Sequence, residues 1–545
     1  MTHNKRYGIY FIIEFICKYN IKEKEEGMKR GIAMVTIAGL LLCAWPTGIM
    51  AATEEKAQAA TEVSAQVEQT QAAKEVTKEE TLPKDNLITT KHEAVIQGKK
   101  ISYTAETGTV ILESGGYDCE MFYTAYTRDD VKDAKDRPIT FAFNGGPGAS
   151  SYCIHFGCMG PRRPEIDDTG HAISLPAKIV DNENSILDMT DLVFIDPVGT
   201  GYSHALNEDE TEEFLGYDND RRSVGDFIRQ YINRHKRWAS PKYIAGESYG
   251  TTRSVGICEY LQDEYAIYVN GLMLVSSVNN FAGVFLSDGN DIPYALFIPT
   301  YAADAWYHGK LAKEYLDREL EDYLEEVRTF VEEEYVPALF LGKKMAKDEQ
   351  DQIAQKLADY IGVSKDFVLK ANLRIALEDF STELLSEEKL MVGRYDGRIT
   401  GPVVSGSPGD GENDPSASST DIALFSTYQD YLTNELGFET DTPFIPLSMD
   451  VNIKWSYPED GYLSQEKVVS DCMSKNPFLK VWVLCGYYDG ATPFYSAEWV
   501  YAHVFLSEER EGNLSFTYYP SGHMLYMEKS SFDKFRKDAE DWYQK

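Results

Sequence analysis

Six short, almost wholly apolar runs punctuate the chain: "ITFAFNGG", "LVFIDPVG", "YIAGESYG", "LMLVSS", "VWVLCGYYD" and "FTYYPSGHM". Each has the length of a buried strand and breaks off in glycine, proline or small polar residues, so each is expected to run into a turn. Between some of them lie amphipathic stretches, "SVGDFIRQYINRH" and "TTRSVGICEYLQDEY", with apolar positions at helical spacing. Strands apolar on both faces and alternating with helices predict an α/β fold, a mostly parallel central sheet flanked by helices. Chemistry in such sheets gathers beyond the carboxyl ends of the strands.

This pattern occupies residues 88–284 and resumes over 476–545. The intervening 285–475 reads as a largely helical cap insertion, because "YLDRELEDYLEEVRTFVEEEY" and "DEQDQIAQKLADYIGVSKDFVLKANLRIALEDF" are rich in strong helix formers at helical period. "SGSPGDGENDPSASST" within it reads as a turn-rich loop whose acids do not match a calcium-loop spacing. Ahead of the core, residues 1–52 read as a signal-peptide region, with translation expected to begin at Met28. Lys29 and Arg30 precede an apolar run from Ile32 to Trp45, shorter than the roughly 20 residues of a spanning helix. Residues 53–87 have too few large apolar side chains to offset ordering entropy and are expected to be a disordered acidic linker. The expected location is therefore secreted or cell-envelope, with no spanning segment once the signal is removed.

Composition narrows the function. A formal charge of -35 leaves no basic surface to neutralise phosphates, which excludes nucleic acid as a partner. The cysteines beyond the signal region are Cys119, Cys153, Cys158, Cys258, Cys472 and Cys485. An extracytoplasmic chain permits disulfides among them, and Cys153 and Cys158 are close enough in sequence to bridge a loop. Their spacing suits no metal, and neither metal nor cofactor is expected.

The chemistry begins at "YIAGESYG". A strand ending in Gly246-Glu247-Ser248-Tyr249-Gly250 and followed by a helix is a G-x-S-x-G elbow, which lifts a strained serine over the sheet edge. The Tyr249 N–H at the helix start can stabilise developing negative charge. A serine hydroxyl needs a base, and the base needs an acid to fix its tautomer. For an elbow the chain order is serine, acid, histidine. Of the nine histidines, His523 in "YYPSGHMLY" fits that order, and Asp489 in "YYDGATP" follows the preceding strand. Asp196, also at a strand end, precedes the serine and is read as loop structure. "FNGGPGASS" offers Gly146 N–H as a second oxyanion donor, with no Gly-Lys-Ser/Thr to suggest a phosphate loop.

Taken in order, "NGGPGASS", "FIDPVGTGYS", "GESYG", "GYYDGATP" and "SGHM" resemble the serine carboxypeptidases, a peptidase branch of the α/β-hydrolases. The resemblance implies a catalytic set of Ser248, Asp489 and His523, oxyanion donors at Gly146 and Tyr249, and a helical cap shaping the side-chain pockets. It also implies that Asn144, Gly145 and Glu247 bind a peptide substrate, with Asn144 and Glu247 on its C-terminal carboxylate. Two positions depart from the family. Cys158 in "FGCMGPRRPEI" stands where a second glutamate is expected, and Ala149 replaces a disulfide cysteine. The first departure raises Arg162 or Arg163 as an alternative carboxylate partner. The expected activity is C-terminal peptide hydrolysis through an acyl-enzyme. An esterase or acyltransferase on the same triad, or a non-catalytic binding protein, is the alternative.

Overall fold

The computed structural model describes residues 84–287, 289–403, 414–457 and 461–544. The expected signal region and all but the end of the expected linker lie outside the described residues. Structure begins with three long strands, β1 (Asn86–Ile96), β2 (Lys99–Ser114) and β3 (Tyr117–Arg128), joined as an antiparallel meander. In "NLITTKHEAVI" charged and threonine side chains alternate with half-buried ones, as suits strands with one face toward water.

The expected apolar runs follow as β4 (Ile139–Phe143), β5 (Asp191–Ile195), β6 (Lys242–Glu247), β7 (Gly271–Val275), β8 (Lys480–Gly486) and β9 (Leu514–Tyr519). The sheet order is β1-β2-β3-β5-β4-β6-β7-β8-β9, with the short strand His204–Ala205 also on β3. From β5 to β9 every pairing is parallel. Alternate residues of these strands face opposite layers. Leu272, Leu274, Val481 and Val483 pack with Phe227 of helix α1 (Tyr217–Arg234) and Val255 of α2 (Tyr249–Tyr265). Met273, Trp482 and Leu484 pack with Phe535 and Trp542 of the C-terminal helix Lys529–Gln544.

Between β7 and β8 the chain forms a mainly helical insertion. The helix Leu320–Phe330 buries Tyr323, Leu324, Val327 and Phe330, one stripe at helical spacing, and Lys347–Ile361 buries Ile353, Ala354, Leu357, Ala358 and Ile361. One reading fails here. The turn-rich stretch becomes helix from Pro415 to Asp430, because Asp414 caps the Ser416 N–H and Pro415 occupies a first-turn position where no donor is needed. Residues 405–413 of that stretch lie outside the described residues. Among the described residues no helix is long and apolar enough to cross a membrane, and no cluster of histidine, cysteine, aspartate and glutamate could hold a metal.

Candidate active site

Register decides what meets at the sheet edge. Phe143 pairs with Gly246, Glu247 with Val275, Val275 with Leu484, and Gly486 with Tyr519. The loops carrying Asn144, Ser248, Asp489 and His523 therefore leave neighbouring strands at the same end.

Ser248 stands between β6 and α2 at φ 60° and ψ -130°, a backbone conformation costly for a non-glycine residue. Its N–H donates to the Val275 carbonyl at 3.0 Å, and its carbonyl accepts from Thr251 N–H at 2.8 Å. The turn is tight enough that a Cβ on Gly246 would come 2.0 Å from the Gly250 carbonyl oxygen. Gly145 is the other close approach, since a Cβ there would lie 2.4 Å from Tyr249 N and 2.5 Å from Gly250 N. The glycine loop thus lies against the elbow at Tyr249 and Gly250. Gly145→Ala is expected to push the loop and elbow backbones apart and, if the Tyr249 N–H holds an oxyanion as the resemblance implies, to lower kcat by about 10²–10³. Steady-state kinetics with circular dichroism checks this against unfolding.

Asp489 is wholly buried. Its Oδ1 accepts from the N–H groups of Ala491 at 2.8 Å and Thr492 at 2.9 Å. Its Oδ2 lies 2.8 Å from His523 Nδ1 and 2.7 Å from Thr492 Oγ1. His523 Nε2 has no hydrogen-bond partner among the described residues. Burial opposes charge on this imidazole, but the Asp489 carboxylate and its hydrogen bond, helped by Glu247, outweigh burial and raise its proton affinity. Ser276, just past β7, fastens the loop by donating its hydroxyl to the His523 carbonyl at 2.6 Å.

Glu247, next to Ser248, is buried between Asn144 and Tyr526. Asn144 Nδ2 donates to Oε1 at 3.0 Å, and Tyr526 Oη donates to Oε2 at 2.8 Å. Burial pushes its carboxyl up to about 7, against the lowering influence of His523 and these two hydrogen bonds. Cys158 is a buried free thiol within electrostatic reach of Glu247. The other described cysteines are free as well, so Cys153 and Cys158 do not bridge a loop here. Arg162 is also committed elsewhere, with ion pairs to Asp181 and Glu435. Arg163 is half-buried over the Phe532 ring, 4.6 Å from its centroid, with Nη2 3.4 Å from the Tyr526 carbonyl oxygen. Neither arginine hydrogen-bonds to Asn144 or Glu247.

Several contributors escaped the sequence reading. Arg253, one turn into α2, is fully buried, pairs with Asp220 at 2.7 Å, and donates to the Asn144 carbonyl at 2.5 Å. It thereby ties the elbow helix to the glycine loop. Arg253→Met would leave the buried Asp220 carboxylate unpaired, and urea unfolding is expected to show a loss of about 3–5 kcal/mol. A strap from the insertion holds both the Asp489 and the His523 loops. The Tyr395 carbonyl accepts from His523 N–H at 2.6 Å, and the Arg394 carbonyl from Gly490 N–H at 3.0 Å. The Tyr395 ring lies over His523, 5.2 Å between centroids. A glycine-flanked "GRYDGR" in a helical insertion was the available signal, but nothing in it names its target.

The other described histidines have structural partners. His155 is buried with Nε2 2.6 Å from Tyr126 Oη, and burial holds it neutral by pushing it down to about 3. His308 Nε2 meets the Gly397 carbonyl at 2.7 Å. Asp196 accepts from Ser151 N–H at 2.7 Å and is pushed up to about 7 by burial, which agrees with a loop-holding role.

A mixed, mostly parallel sheet with an elbow serine between a central strand and its helix defines the α/β-hydrolase class. Residues 98–525 match the serine carboxypeptidase family as a whole, and the chain belongs to that family. The pheromone-processing carboxypeptidase KEX1 of Saccharomyces cerevisiae is 34% identical over 144 residues, 25% of this chain and 18% of that protein. The serine carboxypeptidase-like 29 of Arabidopsis thaliana is 31% identical over 137 residues, 24% of this chain and 25% of that one. These matches thus span a quarter or less of the relatives' own lengths. The crystal structure of the yeast prohormone-processing carboxypeptidase superposes with a TM-score of 0.49 at 16% identity, covering 80% of this chain and 92% of that one.

Proposed function

We propose that the protein is an extracytoplasmic serine carboxypeptidase that releases C-terminal residues from peptides through an acyl-enzyme. The observation that carries this is the Asp489–His523 hydrogen bond at the same sheet edge as the strained Ser248. In the reaction Ser248 Oγ attacks the scissile carbonyl while His523 Nε2 takes its proton, and Asp489 holds the imidazole with Nδ1 protonated. The N–H groups of Gly146 and Tyr249 receive the oxyanion. His523 then gives its proton to the departing amine, and a water activated by the same nitrogen releases the acyl group.

Asn144 and Glu247, one residue from the nucleophile, are the groups for the free C-terminus, with Gly145 giving the chain its close approach. Glu247 must be neutral to accept a carboxylate beside it, since two like charges there repel. His523 must be neutral to act as base. Activity on free-acid peptides is therefore expected to fall on the acid side as His523, its proton affinity raised by Asp489, protonates, and to fall again above about 7 as Glu247 ionises. Amidated peptides lack the second charge, so their profile should keep only the acid-side fall. Parallel kcat/KM profiles check this.

The deciding experiment is mass spectrometry of a peptide library incubated with the purified chain. Ladders shortened from the C-terminus are expected. Ester hydrolysis with intact peptides would assign the triad to an esterase, and failure of a fluorophosphonate to label the folded protein would end the enzymatic reading.

A further inference from the structure

Glu247 is buried, with neighbours from several elements. From the end of β4 comes Asn144, from the loop after β9 come His523 and Tyr526, and from the loop after β8 comes Asp489. The helical segment Cys153–Met159 adds Cys153 and Cys158, both buried thiols in electrostatic reach of the carboxyl, and Arg163 lies in electrostatic reach of Cys158. Among the described residues no second carboxyl hydrogen-bonds to Glu247, and neither thiol does.

The two hydrogen bonds on Glu247 are not equivalent. Asn144 Oδ1 already accepts from Ile154 N–H at 2.9 Å, which fixes the amide so that Nδ2 faces Glu247 Oε1. An amide N–H only donates, so Oε1 is an acceptor in every protonation state. The carbonyl oxygen of a carboxylic acid is its stronger acceptor, so the Asn144 bond favours a proton on Oε2. The hydroxyl there belongs to Tyr526, which can donate to the carboxylate or turn and accept from the acid. The Tyr526 ring is pinned for this task, since a Cβ on Gly157 would come 2.8 Å from its Cε2.

We propose that Tyr526 is a positioning residue for the recognition of the peptide C-terminus: its hydroxyl holds Glu247 Oε2 and governs whether that single carboxyl carries the proton a substrate carboxylate requires. This rests on the reading of Asn144 and Glu247 as the carboxylate site and adds the group that sets its protonation. With Tyr526 donating, the ionised carboxyl is favoured. Without it, the ionised form loses a charge-assisted hydrogen bond, which is stronger than the neutral bond the acid would lose. Removing the hydroxyl therefore raises the proton affinity of Glu247 and widens the pH range over which a free C-terminus binds.

The test is Tyr526→Phe, which keeps the ring and deletes one oxygen, measured in two ways. Infrared difference titration follows the protonated carboxyl band of Glu247, identified by its loss in Glu247→Gln. Its midpoint is expected to move upward by about one pH unit in Tyr526→Phe. The alkaline limb of kcat/KM for free-acid peptides is expected to move by the same amount, with the profile for amidated peptides unchanged. A purely structural role would slow both substrates and leave the limb in place. An infrared midpoint that stays or falls overturns the role of Tyr526. If that midpoint moves upward while the wild type turns over free-acid and amidated peptides alike at every pH, what fails is the carboxylate-site reading beneath it.

Discussion

Ser248→Ala is expected to lower kcat for a free-acid peptide by about 10⁶, leaving a residue of activity from substrate binding and the oxyanion donors alone. The substitution is clean at this position. The elbow is shaped by the close approach of Gly246 to Gly250 and by the Ser248 N–H bond to Val275, neither of which involves the hydroxyl. Alanine carries the same backbone strain as serine, so stability should change little while the nucleophile disappears. Single-turnover kinetics on protein purified away from host peptidases, together with loss of fluorophosphonate labelling, measures the effect. Peptidase activity within tenfold of the parent would remove Ser248 from the mechanism.

Asp489→Asn is the second large effect, expected at about 10⁴ in kcat near neutral pH. The hydrogen bonds around the side chain give the reason. Oδ1 accepts two backbone N–H groups, from Ala491 and Thr492, so the oxygen of an asparagine is forced to that side. Its NH₂ must then face His523 Nδ1, where the carboxylate now accepts at 2.8 Å. A donor in that place turns the imidazole to the tautomer with a proton on Nε2, which cannot take the serine proton. Thr492→Val, which removes only the hydroxyl beside Oδ2, should cost far less. Equal losses in the two variants would mean that the loop is being disturbed and the tautomer argument is misplaced.

Much of the architecture was legible in the chain because parallel strands buried on both faces leave a continuous apolar run, as in "ITFAF" and "GLMLV". The antiparallel meander from Asn86 to Arg128 was not, since its strands mix lysine, glutamate and threonine with apolar residues and leave no continuous apolar run, although Gln97-Gly98 and Gly115-Gly116 mark its two turns. The loop reading of 415–420 failed for a related reason: serine, proline and aspartate mark turns and helix starts alike, and only the Asp414 cap decides between them.

By itself the sequence determined the elbow and the glycine loop, because these depend on backbone conformations and turn chemistry encoded within a few residues. Only the tertiary structure decided what surrounds Glu247. Tyr526 is 279 positions away in the chain, and Arg253, Thr492 and Tyr395 reach the site through buried contacts between separate strands, helices and the insertion. A tyrosine reads the same in sequence whether it fills a core or holds a carboxyl. The difference lies in which oxygen its hydroxyl faces, and that is fixed by strand register and by the packing of Gly157 against its ring.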